Sequence, residues 1–493
     1  MRTLAAAIAV ACTALACAAP AFTASLDLEI PRLIDTAPAA RGAFWGIQVV
    51  DLASGRTLYS RNPDRLFVPA SNAKLFTLAL ALNRLGANFR FETRVLAAAA
   101  PDSNGVVRGG LRLIGGGDPN LSGRVIPYRV NAPPGNALAA IDDLADQIVK
   151  HGVTRVEDGI TGDDTWYVWE PYPEGWAADD TQYDYGAPVS ALSINDNSLT
   201  VAVKPGASGG DPAELSLDPA LEYYDVDNRV RTVPAPGDRQ IHSDRAPGNR
   251  QLRLWGTIPL RDPGDILTIA IDDPADFAAR ALRRSLEERG VVVEGGVTVR
   301  HRLADESWTA PTGAELAWHG SAPVVEDLRI TAKVSQNLHA ELALRAVARH
   351  RRNDGSRQAG LEELKTFLSE SGLPPDSYRF ADGSGLSRLD LVTPAAMVQL
   401  LRAMYASPLR EEWISLLPVA GQDGTLNTRF TALPALGRIH AKTGTLTHVS
   451  ALSGYAQRRD GSWVAFSILV NNHNGRALEV RSVIDQICTL IVK

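Results

Sequence analysis

One stretch constrains the fold of this chain more than any other: Val68-Pro69-Ala70-Ser71-Asn72-Ala73-Lys74, followed by LFTLALALNRLG. The run is apolar on nearly every side and Gly86 stops it, so it reads as one helix. A helix apolar all round belongs inside a domain, and other elements must enclose it. Pro69 is pre-set for a helix start, and Ser71 sits near the N-cap. Ser71 and Lys74 are three apart and share a face. A lysine at the mouth of a buried helix loses water, which disfavours its charged form. A neutral amine can take a hydroxyl proton, which turns serine into a nucleophile. The helix N-terminus supplies N–H groups for a developing anion. Taken alone, the same letters also describe an ordinary cap and a surface lysine, because a chain this long holds about one Ser-x-x-Lys by chance.

Enclosing such a helix takes chain, and 493 residues leave room for two to four domains. Apolar content of 45% with 22% charge is that of an ordinary globular protein. A net charge of −6 argues against a nucleic-acid binder. Residues 1–24 carry Arg2, then an apolar run, then small residues, and read as a secretory signal cleaved near 18–24. Ala14-Leu15-Ala16-Cys17 loosely resembles a lipobox, so a lipid anchor and peripheral membrane association stay open. Cys12 and Cys17 fall in this signal, which leaves Cys488 without a disulfide partner in the mature chain. No second apolar run has spanning length. The nine histidines include no His-x-x-x-His or His-Glu-x-x-His pair, so no metal and no cofactor is expected.

Along the chain, residues 26–37 read as a short helix, 44–51 as a strand, 53–56 as a turn and 57–60 as the returning strand. From about 91 the pattern is strands and Gly-rich turns. Gly115-Gly116-Gly117 fits neither phosphate-binding spacing and reads as a tight turn. Residues 137–150 form an amphipathic helix and 153–162 a strand. Trp166, Tyr167, Trp169, Tyr172, Trp176, Tyr183 and Tyr185 then either line a sugar or peptide groove or cover an insert poor in other large apolar groups. Residues 187–261 read as a β-rich module, 273–289 as a helix and 291–299 as a strand. Helices follow at 324–350, 357–371, 394–405 and 409–417. Strands at 439–445, 449–457 and 464–470 precede a last helix at 476–491. The simplest architecture is one antiparallel sheet built from both chain ends, packed with helices and interrupted by inserts.

Three short signals line up in order: Ser71-Asn72-Ala73-Lys74 opening a buried helix, Ser335-Gln336-Asn337 between helical segments, and Lys442-Thr443-Gly444 on a strand. Together they resemble the Ser-x-x-Lys, Ser-x-Asn and Lys-Thr-Gly set of penicillin-recognising serine enzymes. The long gap from Ser71 to Ser335 resembles the class C low-molecular-mass penicillin-binding proteins, the D-alanyl-D-alanine carboxypeptidase/endopeptidase family. ITGDDTWY, GAPVSALSINDNSLTV, ADGSGLSR, LPVAGQDGTL and AKTGTLTHVSALSGY are similar to its characteristic stretches. The middle motif departs from the frequent Ser-Asp-Asn but keeps the serine and the asparagine.

The resemblance implies an α+β fold, a β-lactamase/transpeptidase-like antiparallel sheet flanked by helices, with two inserted β-rich domains. The expected division is 25–95 with 318–493 for the catalytic domain, 96–188 with 262–317 for the first insert and 189–261 for the second. Ser71 is the expected nucleophile and Lys74 its general base. The resemblance gives Ser335 a proton relay to the leaving amine. Asn337 either holds the substrate amide or orients Lys74. Lys442 meets the terminal carboxylate, with Thr443 or Thr445 adding a hydrogen bond. Gly444 lets substrate lie against the strand. By analogy, the N–H groups of Ser71 and Thr445 form the oxyanion hole. Family members bind the free end of a diaminopimelate-type stem peptide with an acidic residue and an arginine. Asp163 and Arg388 occupy the matching motifs, against the alternative of a turn residue and a local ion pair. The expected activity is that of a periplasmic serine DD-carboxypeptidase or endopeptidase acting on peptidoglycan stem peptides, with β-lactams as inhibitors. A β-lactamase or esterase of the same fold, or an inactive peptidoglycan-binding scaffold, is the rival reading. Oligomeric state is left open.

Overall fold

The computed structural model describes residues 19–133 and 135–493. Most of the expected export signal, with Cys12 and Cys17, lies outside the described residues. The first helix, Ala19–Thr36, spans most of the helix expected at 26–37.

Both chain ends do build one sheet. Its order is Ile439–Leu446, Val449–Gln457, Trp463–Asn471, Phe44–Asp51 and Thr57–Arg61, and every neighbour pair is antiparallel. The strand Trp463–Asn471 is buried on both faces, which explains its unbroken apolar run. Val464, Phe466, Ile468 and Val470 point to one core, shared with Leu26, Ile30 and the last helix, Ala477–Val492. Ala465 and Leu469 point to the other. There lies the helix Lys74–Leu85, buried from Lys74 through Leu82. The helices Val324–Val334, Asn337–Arg352, Arg357–Glu370, Pro394–Ala406 and Arg410–Leu416 surround it.

The inserts have a core of their own. A mixed five-stranded sheet runs Val297–Arg300, Ile160–Asp163, Leu111–Ile114, Glu92–Ala97 and Ala314–Gly320. The helices Ala139–Lys150 and Pro274–Glu288 bury Ile141, Leu144, Phe277 and Leu282 in the insert core. Three three-stranded sheets complete the inserts. One joins Asp225–Val233, Gln251–Pro259 and Gln240–Asp244, a second joins Asp265–Ala270, Ser198–Lys204 and Glu214–Asp218, and a small third joins Val292–Val293, Arg155–Val156 and Val106–Val107.

These pairings move the expected boundaries. Glu92–Ala97 pairs with Ala314–Gly320 inside the insert sheet, so the crossings lie before Glu92 and after Gly320 rather than at 95 and 318. Asp265–Ala270 pairs with Ser198–Lys204, so the second insert extends past 261. Hydrogen bonding between strands distant in sequence decides both points, and local composition does not reveal it.

Candidate active site

Ser71 does not sit on the α-helix itself. It lies in a 3₁₀ turn, Ala70–Ala73, and Lys74 is the first residue of the helix. Ala70 has φ +48, a left-handed conformation that costs a non-glycine residue energy. Packing holds it there. The Asp382–Arg388 loop comes so close that a Cβ on Gly385 would stand 2.0 Å from the Ala70 carbonyl oxygen. The same approach places the Ser384 carbonyl where Lys74 needs an acceptor.

Lys74 is fully buried. Its Nζ donates to Ser71 Oγ at 3.0 Å, Asn337 Oδ1 at 2.5 Å and the Ser384 carbonyl at 2.7 Å. Burial lowers its pKa to about 8, although Asp382, Glu341 and Asp390 pull the other way. These three acids share a site without all being charged. Burial and the neighbouring Asp382 raise Glu341 to about 8 and push Asp390 far above the ordinary range. Burial would raise Asp382 too, but a hydrogen bond from Asp390 and the N–H groups of Ser387 and Gly385 outweigh it and hold it low. Asp382 also accepts from Trp176 Nε1 at 2.8 Å. Asp382, the acid of the three whose pKa is held low, thus lies beneath the lysine and orients it, while burial leaves the lysine a neutral fraction at working pH.

Ser335 and Asn337 flank a helix junction. Ser335 ends Val324–Val334 in the left-handed region, φ +64, and Gln336 caps the helix that starts at Asn337. Asn337 is placed to orient Lys74. Its Oδ1 accepts from the ammonium, and its Nδ2 donates to the Tyr185 carbonyl at 2.7 Å.

Lys442 lies on Ile439–Leu446, the edge strand of the catalytic sheet. It is fully buried, and its Nζ donates to Ser335 Oγ at 2.7 Å and the Thr443 carbonyl at 2.9 Å. Burial pushes its ammonium well below the ordinary range, and the Lys74 charge adds to this. Asn72 Nδ2 ties the strand to the nucleophile turn through the Lys442 carbonyl, at 3.0 Å. Glycine is required next, because a Cβ on Gly444 would stand 2.8 Å from the Pro69 carbonyl oxygen. Thr443 Oγ1 donates to Thr425 Oγ1 at 2.9 Å, and Thr445 is exposed and accepts from Arg481. Ser71, Ser335, Asn337 and Thr445, the residue after the third motif, line one cleft of about 400 Å³, and Lys442 meets it through Ser335.

Residues 27–490 match the D-Ala-D-Ala carboxypeptidase 3 (S13) family. The chain belongs to it. A D-alanyl-D-alanine carboxypeptidase from Actinomadura sp. (strain R39) is 36% identical over 476 residues, covering 94% of this chain and 84% of that protein. The crystal structure of penicillin binding protein 4 (dacB) from Haemophilus influenzae has the same fold, with a TM-score of 0.79 at 24% identity over 94% of this chain and 98% of that one. A second structure of that protein, complexed with a β-lactam, gives 0.76 at 22% identity and the same coverage. The protein is thus a low-molecular-mass penicillin-binding protein and a serine-type D-Ala-D-Ala carboxypeptidase, with the β-lactamase/transpeptidase-like α+β fold.

In this family member the rim of the cleft corrects one expectation. Asp163 does not reach the cleft. It ends the strand Ile160–Asp163, is fully buried, pairs with Arg112 and accepts from the Thr165 N–H at 2.9 Å. It organises the turn after an insert strand. The acid that lines the cleft is Asp180, with Tyr185 and Arg388. Tyr185 donates to Asp180 Oδ1 at 3.2 Å, and burial raises the Asp180 pKa despite this bond. Arg388 is exposed and donates to the Thr447 carbonyl at 3.2 Å. The aromatic stretch divides as well. Tyr185 borders the cleft, Trp176 braces Asp382, and Trp169 stacks on His301 at 3.9 Å within the fold.

A buried network behind the middle motif was missing from the sequence reading. His339, fully buried, sits 3.0 Å from Asp196 and 2.7 Å from Asp327. Burial alone would strip its proton, but both carboxylates raise its pKa to about 9. Asp196 is paired with Arg124 as well, and Gln336 Nε2 donates to Asp196 Oδ2, the oxygen that Arg124 Nη2 also meets, at 3.0 Å. Asp196 and Arg124 come from the inserts, so the inserts grip the turn that carries Ser335 and Asn337. The NDN triplet at 195–197 was a signal, since all three residues have positive φ. No helix among the described residues is long and apolar enough to cross a membrane, and no metal-binding cluster occurs among them.

Proposed function

We propose that Ser71 attacks the carbonyl of the penultimate D-alanine in a stem peptide while Lys74 Nζ takes its proton. The oxygen that becomes negative is received by the N–H groups of Ser71 and Thr445. The intermediate then expels the amine of the terminal D-alanine, with Ser335 passing it a proton, and leaves an ester on Ser71. Water hydrolyses the ester and returns the enzyme. Where the leaving amine belongs to a cross-linked side chain, the same steps are endopeptidase action. A β-lactam follows this path as far as the ester and stalls.

One observation carries the reading: a single ammonium bridges Ser71 Oγ and Asn337 Oδ1, and a second, Lys442, touches Ser335 Oγ from the strand side. Lys442 is short of counter-charge. A substrate carboxylate laid along the edge strand supplies it, with Thr443 or Thr445 adding a hydrogen bond.

Asp180 and Arg388 give the cleft one acid and one base at its rim. That pair suits a side chain ending in both an amine and a carboxylate, as in a diaminopimelate-type stem peptide. Asp180 takes the place first given to Asp163, and Tyr185 orients it. An N-terminal segment that reads as an export signal and a cell-wall substrate support a periplasmic location. Digestion of cross-linked muropeptides tests the reading. Wild type releases D-alanine or converts dimers to monomers, and Ser71→Ala does neither. Continued release by Ser71→Ala overturns it.

A further inference from the structure

At the far ends of the two central helices lies a second cavity of about 470 Å³. Arg349 on its wall stands twelve residues beyond Asn337 on the same helix, about 18 Å at 1.5 Å per residue. Phe89 and Phe91, just past the end of Lys74–Leu85, form the opposite wall with Leu96, Ile114 and Pro311. The cavity is therefore separate from the catalytic cleft, and its walls combine these apolar side chains with Arg90, which donates to the Ser321 carbonyl, the ion pair of Glu92 with Arg94, and His350.

Its polar floor is unfinished. Arg349 is 4% exposed, with Cζ 4.1 Å from the ring centroids of both Trp166 and Trp308. Its Nη1 donates to the Asn353 carbonyl at 2.7 Å, but Nε and Nη2 have no hydrogen-bond partner. Tyr167, which lines the same cavity, has a buried hydroxyl with no partner either. Arg302 lies near enough to repel Arg349. It is 6% exposed, and its carboxylate contact, Asp354, is 4.0 Å away. Burial, and then Arg302, bring the Arg349 pKa down to about 10. The tryptophan rings attract a cation but offer no lone pair to its in-plane N–H groups. Buried guanidinium groups ordinarily meet a carboxylate or another full set of acceptors. What is missing here is an anion.

We propose that this cavity is a second ligand site, which takes a small carboxylate with an apolar body and binds it through Arg349 and the Tyr167 hydroxyl. The guanidinium presents parallel N–H groups that match a carboxylate's two oxygens. The phenylalanine and aliphatic walls take the hydrocarbon. A volume of this size holds a ligand of amino-acid to dipeptide dimensions. Two rigid helices run from this site to Ser71 and Asn337, so an occupant braces the same elements that hold the nucleophile.

The test uses the mature full-length protein, first acylated by benzylpenicillin to block the catalytic cleft, with the mass shift confirming acylation. Failure of the catalytic reading would show there, before any ligand is added. N-acetyl-leucine and N-acetyl-leucine amide are then titrated while tryptophan fluorescence and Tm are followed. The acid should give a saturable fluorescence change with Kd of about 1 mM and a raised Tm. The amide should bind at least about tenfold more weakly. Arg349→Met should remove the response to the acid while penicillin acylation stays within about twofold of wild type. Tyr167→Phe, which keeps the ring, should weaken the acid by about three- to tenfold and leave the amide unchanged. The proposal is overturned by no saturable response to the acid up to about 20 mM, by equal responses to acid and amide, or by a response that survives in Arg349→Met.

Discussion

The two walls of the catalytic cleft each bury a lysine, and the two lysines differ in what surrounds them. On the helix wall, Lys74 has Asp382, Glu341 and Asp390 within electrostatic reach. On the strand wall, Lys442 has a hydroxyl, a carbonyl and the like charge of Lys74. The carboxylates limit the fall of the Lys74 pKa to about 8, which suits a group that must both accept and return a proton. Lys442 lacks such compensation until a carboxylate arrives. In the proposed mechanism, the same side chain is thus set as a base by a protein anion on one wall, and left open for a substrate anion on the other. This difference also explains why both must be buried. Exposed to water, neither would respond much to its neighbours.

The comparison breaks most sharply at Lys74. Lys74→Met keeps the packing but removes the base, and acylation by a chromogenic β-lactam should fall by about 10²–10⁴-fold. In wild type, the neutral fraction of Lys74 grows as pH rises through about 8, so the acylation rate should rise over the same range. A pH-independent rate between about 6 and 9 would remove the lysine from the base role.

On the other wall, Lys442→Ala should cost about 10–100-fold in kcat/KM, in line with the loss of one charge-assisted hydrogen bond to the substrate. The loss should be largest for peptides with a free C-terminal carboxylate and small for a C-terminal amide. Equal losses on both would show that Lys442 acts on the fold or on Ser335 and not on the substrate carboxylate.

How far the sequence discloses these two walls differs as well. Ser71, Lys74, Ser335, Asn337 and Lys442 were legible because each motif is short, contiguous and tied to an element that periodicity reveals. The sheet shared by both chain ends was legible for the same reason. Asp163 misled because a linear motif shows that an acid ends a strand, and not which way that end faces. Its partner Arg112 comes from a strand that the fold brings alongside. Asp180, on a short 3₁₀ turn, has no periodic pattern around it. The acids beneath Lys74 were hidden for another reason. Glu341 and Asp390 look like surface residues by type, and only their burial beside Asp382 raises them above the ordinary carboxylate range.

A smaller effect is expected at the turn between the walls. Gln336 Oε1 accepts from the Leu338 N–H at 3.1 Å, and its Nε2 donates to Asp196. Gln336→Glu keeps the cap and turns the other contact into two facing carboxylates. Acylation should drop by about tenfold at pH 8, the effect of roughly 1.4 kcal/mol. The ratio of variant to wild-type rate should recover near pH 5, where the new carboxyl begins to take up a proton. A ratio that does not change with pH would show that Asp196 does not steer Ser335 and Asn337 through Gln336.

The smallest expected effect lies at the open rim. Arg388 is exposed, and its ion pairing with a substrate carboxylate is screened by water. Such pairs are worth about 0.2–1 kcal/mol. Arg388→Ala should therefore raise KM by up to about fivefold for a stem peptide with a zwitterionic side chain, and leave kcat nearly unchanged. Added salt should shrink the difference, because it weakens the wild-type contact and leaves the variant with nothing to lose. Asp180, more enclosed and held by Tyr185, should matter more than Arg388 for the same substrate. If both rim substitutions left the choice between charged and uncharged side chains unaltered, the two walls alone would set the specificity, and the rim would serve only to close the cleft.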